Sequence, residues 1–271
     1  MTKNVAIAIV GLPRDFQKTL PTLVDRLIDS VKNRNVVFDI FLVCYKKYYD
    51  EKIREIISSS KNYDVLNLHF LDDHYLNFDE KNTDNPYLQE YELFDYLSEL
   101  KKDDDQRHFA MTCHVIPQFC QMTRAASQIL STKKTYDLIV KTRYDVLYEE
   151  DIDLNLILDQ ELDSSYFTCG EKFAFRYADA PNNEYTKRTL KSSAYGPIND
   201  PFVVGSQDNM VSYFKLVESA EVRSLKPAVR TEDFVTFYVS RILQKNIEQV
   251  DYKMGLWRDF SDRFERKGKK L

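Results

Sequence analysis

The apolar positions of the chain fall into short blocks whose period alternates between that of a buried strand and that of a helix. Residues 4–10 (NVAIAIV) form an unbroken, β-branched run, the pattern of a strand covered on both faces. GLPRDF (11–16) interrupts it with Gly11 and Pro13. Leu20, Leu23, Val24, Leu27, Ile28 and Val31 then recur at helical spacing. VVFDIFLV (36–43) predicts a second strand, residues 50–60 a short helix, and VLNLHFL (65–71) a third strand. This order predicts an α/β domain with a largely parallel sheet, because parallel strands need helical crossovers.

Residues 72–89 are polar and rich in turn formers, and read as a long surface loop. Helical patterns follow at 90–101 and from about 110 to 131, where Pro117 either opens a new helix or kinks a longer one. YDLIVKTRYD (136–145) then packs Leu138, Ile139 and Val140 into a run that predicts a central strand over 137–142. A short helix is expected after EEDIDL, a strand at 165–170, an irregular segment over 171–200, and a short strand in PFVVG (201–205). Ser206 is placed to cap a helix reaching about 220, and Thr231 to cap another over 232–245. No repeat, low-complexity tract or linker divides the chain, so one domain over 1–271 is expected.

Composition narrows the function classes. At 271 residues the chain can bury a full core without disulfides or structural zinc. A net charge of −5 argues against a general nucleic-acid binder. The basic tail, Arg263 to Lys270, reads as a solvated terminus or as a contact for an anionic surface. Cys44, Cys113, Cys120 and Cys169 form no CxxC pair, and the four histidines lack zinc-ligand spacing. Free thiols in a reducing compartment follow, hence an expected cytoplasmic location; no apolar run is long enough to predict a transmembrane segment. With six glycines in all and one in GLPRDF, the chain lacks both a GxGxxG fingerprint and the glycine-rich loop of a sugar nucleotidyltransferase.

Candidate chemistry gathers at two strand ends. In an open α/β sheet, ligands bind beyond the carboxyl ends of the strands. Arg143 and Asp145 emerge there if 137–142 is central: a carboxylate suited to a divalent cation beside a guanidinium suited to phosphate. Spacing alone equally describes a surface ion pair. Gly11, Pro13 and Arg14 leave the first strand at the same edge, a common strand-ending turn that also brings a second basic residue to that edge.

The order of these features resembles a group of GT-A-type glycosyltransferases from bacterial polysaccharide clusters and large DNA viruses. Its marks are GLPR after strand one, Asp39-Ile40-Phe41, a helix carrying Gln118 and Gln121, YDLIVKTRYDVLY, the Asn199–Gly205 stretch followed by Met210, and a helix opening at Glu232. The resemblance spans most of 4–245 and implies a GT-A-like mixed, mostly parallel sheet flanked by helices. It implies a nucleotide-binding half over about 1–150 and an acceptor-side half over about 151–260. It further implies a nucleotide-sugar donor, most readily a UDP- or GDP-sugar, a glycan or other hydroxyl acceptor, and Mn²⁺ or Mg²⁺ held by a DxD motif. The matching triplet here is Arg143-Tyr144-Asp145. Asp145 corresponds to the metal-binding aspartate, and Arg143 replaces the other. Glu149, Glu150 and Asp151 stand near as further oxygen donors. Gly11, Pro13 and Arg14 would lie by the nucleotide, Asp200 would be the catalytic base, and Glu232 with Asp233 the second choice. Tyr177, Tyr185, Tyr195 and Trp257 are available to stack on an acceptor sugar. The competing expectation is a non-catalytic nucleotide-sugar-binding or scaffold module, favoured by the missing first aspartate.

Overall fold

A computed structural model describes residues 2–31, 36–71, 106–160, 162–169, 174–178, 200–219, 235, 238–250 and 252–259. Side chains are described for these except at 106–116, 169, 174–178 and 257–259. The expected loop at 72–89, the helix at 90–101, most of the segment 171–199 and the helix start at 231–234 lie outside the described residues.

A seven-stranded sheet forms the frame, in the order β3-β2-β1-β4-β8-β6-β9. Its strands are β1 (Lys3–Val10), β2 (Val36–Tyr45), β3 (Tyr63–Leu71), β4 (Leu138–Arg143), β6 (Ser165–Cys169), β8 (Val203–Gly205) and β9 (Asn246–Val250). β1, β2, β3 and β4 are mutually parallel, whereas β8 runs antiparallel to β4 and β6. The fold class is therefore α/β with a mixed, mostly parallel sheet. The helices are α1 (Phe16–Leu23), α2 (Glu51–Ile57), α3 (Gln106–Ser131), α4 (Asn155–Leu158) and α5 (Gln207–Phe214). α1 continues through a π-helical turn at Val24–Ile28, which extends the apolar stripe read from the sequence.

The pleat of the central strands divides the core into two. Val5, Ile7 and Ile9 of β1 join Leu138 and Val140 of β4 against α1, α2 and α4. Ala6, Ala8 and Val10 point the other way, with Ile139, into the layer of α3 and α5. The alanines of β1 meet Ala125 and Ala126 of α3 in that second layer, so small side chains serve where helix and sheet come close. Successive residues of a strand point to opposite faces. Lys141 therefore shares the α3 side with Ile139 and Arg143, while Thr142 turns to the α1 side, where its hydroxyl lies 2.7 Å from Tyr148 Oη.

Of the two alternatives for Pro117 the structure has the longer helix: Pro117 lies inside one continuous helix, α3. Other features differ from the sequence expectation. The segment expected to be irregular from 171 contains β7 (Ala174–Ala178). That strand, β5 (Val146–Tyr148) and β10 (Met254–Asp259) form a second sheet, ordered β5-β10-β7. β5 and β10 pair Tyr148 with Met254, partners too distant in sequence for any turn signal to announce them. Of the helix expected over 232–245, the described residues are helical at Val235 and through a π-helical turn at Tyr238–Ile242, and the helix stops short of 245, with β9 beginning at Asn246.

Candidate functional site

Strand order locates the site before any side chain does. β1 leads outward to β2 and β3, and the chain then returns to place β4 on the other side of β1. That reversal opens a crevice beyond the carboxyl ends of β1 and β4, the place where open α/β sheets take their ligands. Val10 of β1 lies in register with Arg143 of β4, so GLPR and RYD leave the sheet side by side. β8 runs antiparallel to β4, and Lys141 is in register with Val203; Asp200, just before β8, is thereby delivered to the same edge. The sequence-derived residues Gly11, Pro13, Arg14, Arg143, Asp145 and Asp200 thus meet at one end of the sheet. Glu232 lies outside the described residues.

The loop after β1 has an unusual backbone. Gly11 has φ 107°, a region that L side chains rarely occupy, and Asp15 enters the left-handed region at φ 50°. The Arg14 amide donates to the Leu12 carbonyl at 2.8 Å, tightening the turn around Pro13. Gly11 N–H donates to Gln121 Oε1 at 2.6 Å, so α3 holds the loop by a side chain that is itself buried. α1 then starts at Phe16, and Thr19 on its first turns donates its hydroxyl to the Tyr144 carbonyl. One helix therefore follows the first strand's loop and grips the RYD turn.

Within that turn, alternation sends Tyr144 into the α1-side core and leaves Arg143 and Asp145 together on the other side. They form a two-pronged ion pair: Nε reaches Oδ1 at 2.9 Å and Nη2 reaches Oδ2 at 2.9 Å. The Asp145 side chain is only 1% exposed, whereas Arg143 keeps 16%. The carboxylate is the buried member and the guanidinium the outer one.

A second ion pair lies beneath it. Lys141, completely buried, donates to Asp200 Oδ1 at 2.7 Å and to the Asp200 main-chain carbonyl. Tyr213 Oη donates to the same Oδ1 at 2.9 Å, and Gln118 Nε2 donates to Oδ2. Gln118 Oε1 stands 3.5 Å from Arg143 Nη1, a long contact that links the two ion pairs. Burial alone would raise the Asp200 carboxyl. The Lys141 ammonium, its hydrogen bond, the Arg143 charge and the Gln118 amide outweigh that and hold it below the usual carboxylate range. Sequence reading overlooked Lys141 and Tyr213. A lysine on the inward side of a strand, two residues after Ile139, was the available signal, since a buried ammonium needs a carboxylate.

This geometry corrects two expectations. Asp200 does not present an open carboxylate to an acceptor: both oxygens hold protein donors, and its lowered pKa makes the carboxylate a weak base. Glu149, Glu150 and Asp151 have partners of their own. Glu149 pairs with Lys253 at 3.1 Å, Asp151 with Arg26 at 2.8 Å, and Glu150 accepts from the Lys253 amide. The donor set does not fit Mn²⁺ or Mg²⁺. Such ions take several oxygen ligands, yet both Asp145 oxygens face the Arg143 fork. Among the described residues no three acidic, histidine or cysteine side chains converge.

Other marks of the sequence pattern have structural duties. Asp39 accepts from Tyr136 Oη at 2.6 Å and from Lys134 at 2.9 Å, near the start of β2 and far from the crevice. Met210 packs against Gly205, where an added Cβ would come within 3.4 Å of Met210 Cγ. A depression of about 590 Å³ lies where the continuation of α1 meets the α2–β3 connection. Asp25, Asp29 and Asp151 line it beside Arg26 and Lys61, at the end of the sheet where β3 begins. With three carboxylates against two cations, its lining suits an anion poorly.

No helix among the described residues is long and apolar enough to cross a membrane. No protein-family model matches the chain, and no curated protein matches it. Among solved structures the chain is similar to the apo form of mouse xyloside xylosyltransferase 1, with 13% identity over 93% of this chain and 86% of that one, and a TM-score of 0.48.

Proposed function

We propose that this chain is a glycosyltransferase that moves a sugar from a nucleoside-diphosphate sugar to a hydroxyl acceptor. The observation that carries the reading is the convergence of GLPR and RYD, two marks of the GT-A resemblance, on the switch-point crevice between β1 and β4. The positive-φ loop at Gly11 lets main chain approach a nucleotide closely. Arg14 and Arg143 leave that edge as cations, which suits a diphosphate.

In this reading the nucleotide half of the donor lies over the ends of β1 and β4. Departure of the nucleoside diphosphate builds negative charge on its β-phosphate, and a preorganised cation at that point lowers the barrier. Asp200 is a positioning residue: with Gln118, Tyr213 and Lys141 it fixes the floor under Arg143. Glu232, a candidate from the sequence alone, takes the part of acceptor base that the buried Asp200 cannot fill.

The test is release of nucleoside diphosphate from a panel of UDP-, GDP- and dTDP-sugars, with and without simple glycoside acceptors. Turnover of one donor above a heat-killed control is expected. Tight donor binding without any turnover would instead identify a nucleotide-sugar-binding module, and neither binding nor turnover would refute both.

A further inference from the structure

We infer that the diphosphate of the donor is met by the Arg143 guanidinium itself, locked in place by Asp145, and not by a divalent cation at Asp145. The inference rests on the nucleotide-sugar reading above and specifies how that site meets its ligand's charge.

The geometry separates the two roles. A metal at Asp145 would need the carboxylate oxygens, and both lie 2.9 Å from nitrogens of the guanidinium. Charge-assisted, two-pronged pairs of this kind are among the stronger polar contacts in proteins. Displacing the guanidinium would also leave a cation without its carboxylate in a largely buried place, at a cost a weakly held metal does not offset. Depth points the same way, with Asp145 1% exposed beneath an Arg143 that is 16% exposed. A ligand entering from solvent meets the arginine first.

The surroundings hold Arg143 in that attitude. Its β-carbon is fixed by β4 pairing with β1, its Nη1 stands against Gln118, and Gly11 passes so close that a Cβ there would lie 3.8 Å from Arg143 Cγ. Gln118 is in turn tied to Asp200, whose own charge is matched by Lys141. Near β4, among the described residues, Asp200 is matched by the buried Lys141 and Asp145 by Arg143, and of these two cations the arginine is the one that reaches solvent. A planar, permanently charged fork that needs no reorganisation suits phosphate oxygens.

The experiment is calorimetric titration of UDP, GDP and dTDP into the full chain, in EDTA and again in Mn²⁺, with wild type and with Arg143→Lys and Arg143→Gln. Circular dichroism establishes that each variant is folded. The wild type should bind one of the nucleotides with a Kd that agrees within about twofold between EDTA and Mn²⁺. Loss of the charged fork should weaken that binding by roughly 10–100-fold in Arg143→Gln, with Arg143→Lys in between. Binding that appears only with Mn²⁺, or is unchanged in folded Arg143→Gln, overturns this inference and leaves the nucleotide-sugar reading standing. If no nucleoside diphosphate binds in either buffer, that reading fails and the inference with it. If Arg143→Gln does not fold, the wild-type comparison in EDTA still tests the metal half of the inference and Arg143→Lys the arginine half.

Discussion

Replacing Lys141 by Met removes one partner of the deepest ion pair and keeps most of the apolar stem. Lys141 is fully buried and the Asp200 side chain 2% exposed. Lys141 supplies two of the donors on Asp200, one to the carboxylate and one to the main-chain carbonyl. The variant leaves the carboxylate with Tyr213 and Gln118 as its remaining named donors and with Arg143 as the nearby charge. Removing one partner of a buried pair costs about 3–5 kcal/mol, a large part of the roughly 5–15 kcal/mol that typically stabilises a folded protein. Urea unfolding followed by fluorescence measures this. The pH dependence gives the mechanism away. In the wild type the Asp200 carboxyl is held below its unfolded value, so its contribution is present above about pH 4 and is lost as pH falls through the lower folded pKa. In the variant, burial acts without the ammonium and pushes the carboxyl up. The penalty then stands at neutral pH and is relieved as pH falls through that raised value. The stability gap between the two proteins should therefore narrow toward acid. Adding Asp200→Asn to Lys141→Met should recover part of the loss. A loss under about 1 kcal/mol, or a gap that does not change with pH, would refute the assignment of a buried, charged pair.

Gln121→Leu should leave the Gly11 N–H buried without its 2.6 Å acceptor and cost about 1–3 kcal/mol in the same unfolding assay. Gly11→Ala should cost roughly 1–3 kcal/mol through its φ of 107°. The added Cβ meets only ordinary contacts with Arg143, so a much larger loss would point to a clash the structure does not contain. Burial pushes the Cys44 thiol up to about 12, against a smaller opposing effect of the Tyr144 hydroxyl. Iodoacetamide at mildly alkaline pH should spare Cys44 in the native protein and label it in urea, read by peptide mass spectrometry. Ready labelling of native Cys44 would contradict its buried setting.

The parallel half of the sheet was legible because each of its strands carries its own signal. NVAIAIV, VVFDIFLV and LIV are apolar on both faces, and GLPR and RYD mark where two of them stop. The site's location followed from the same runs, since the edge of a parallel sheet is implied once its strands are placed. Its inner chemistry did not follow. A strand read as uniformly buried hides the fact that Lys141 faces inward beside Ile139, and the partner that makes this tolerable lies on a segment 59 residues later. Arg143 and Asp145 looked like two separate donors at i and i+2; only the turn at Tyr144 folds one onto the other. The second sheet escaped for a related reason. β5 and β10 are short, and their pairing is set by tertiary contact and not by a local turn. Asp39 shows the converse: a residue that belongs to a recognisable pattern, yet serves to tie β2 to the start of β4.

Hydrogen–deuterium exchange with and without saturating nucleoside diphosphate tests the central claim most directly, because it reports where a ligand sits without assuming turnover. The account predicts slowed exchange in peptides spanning Gly11 to Phe16 and Arg143 to Val146, with Ser59 to Asn62 unchanged. Protection confined to the depression around Asp29, Ser59 and Asn62, or none at the ends of β1 and β4 in the presence of bound nucleotide, would contradict it.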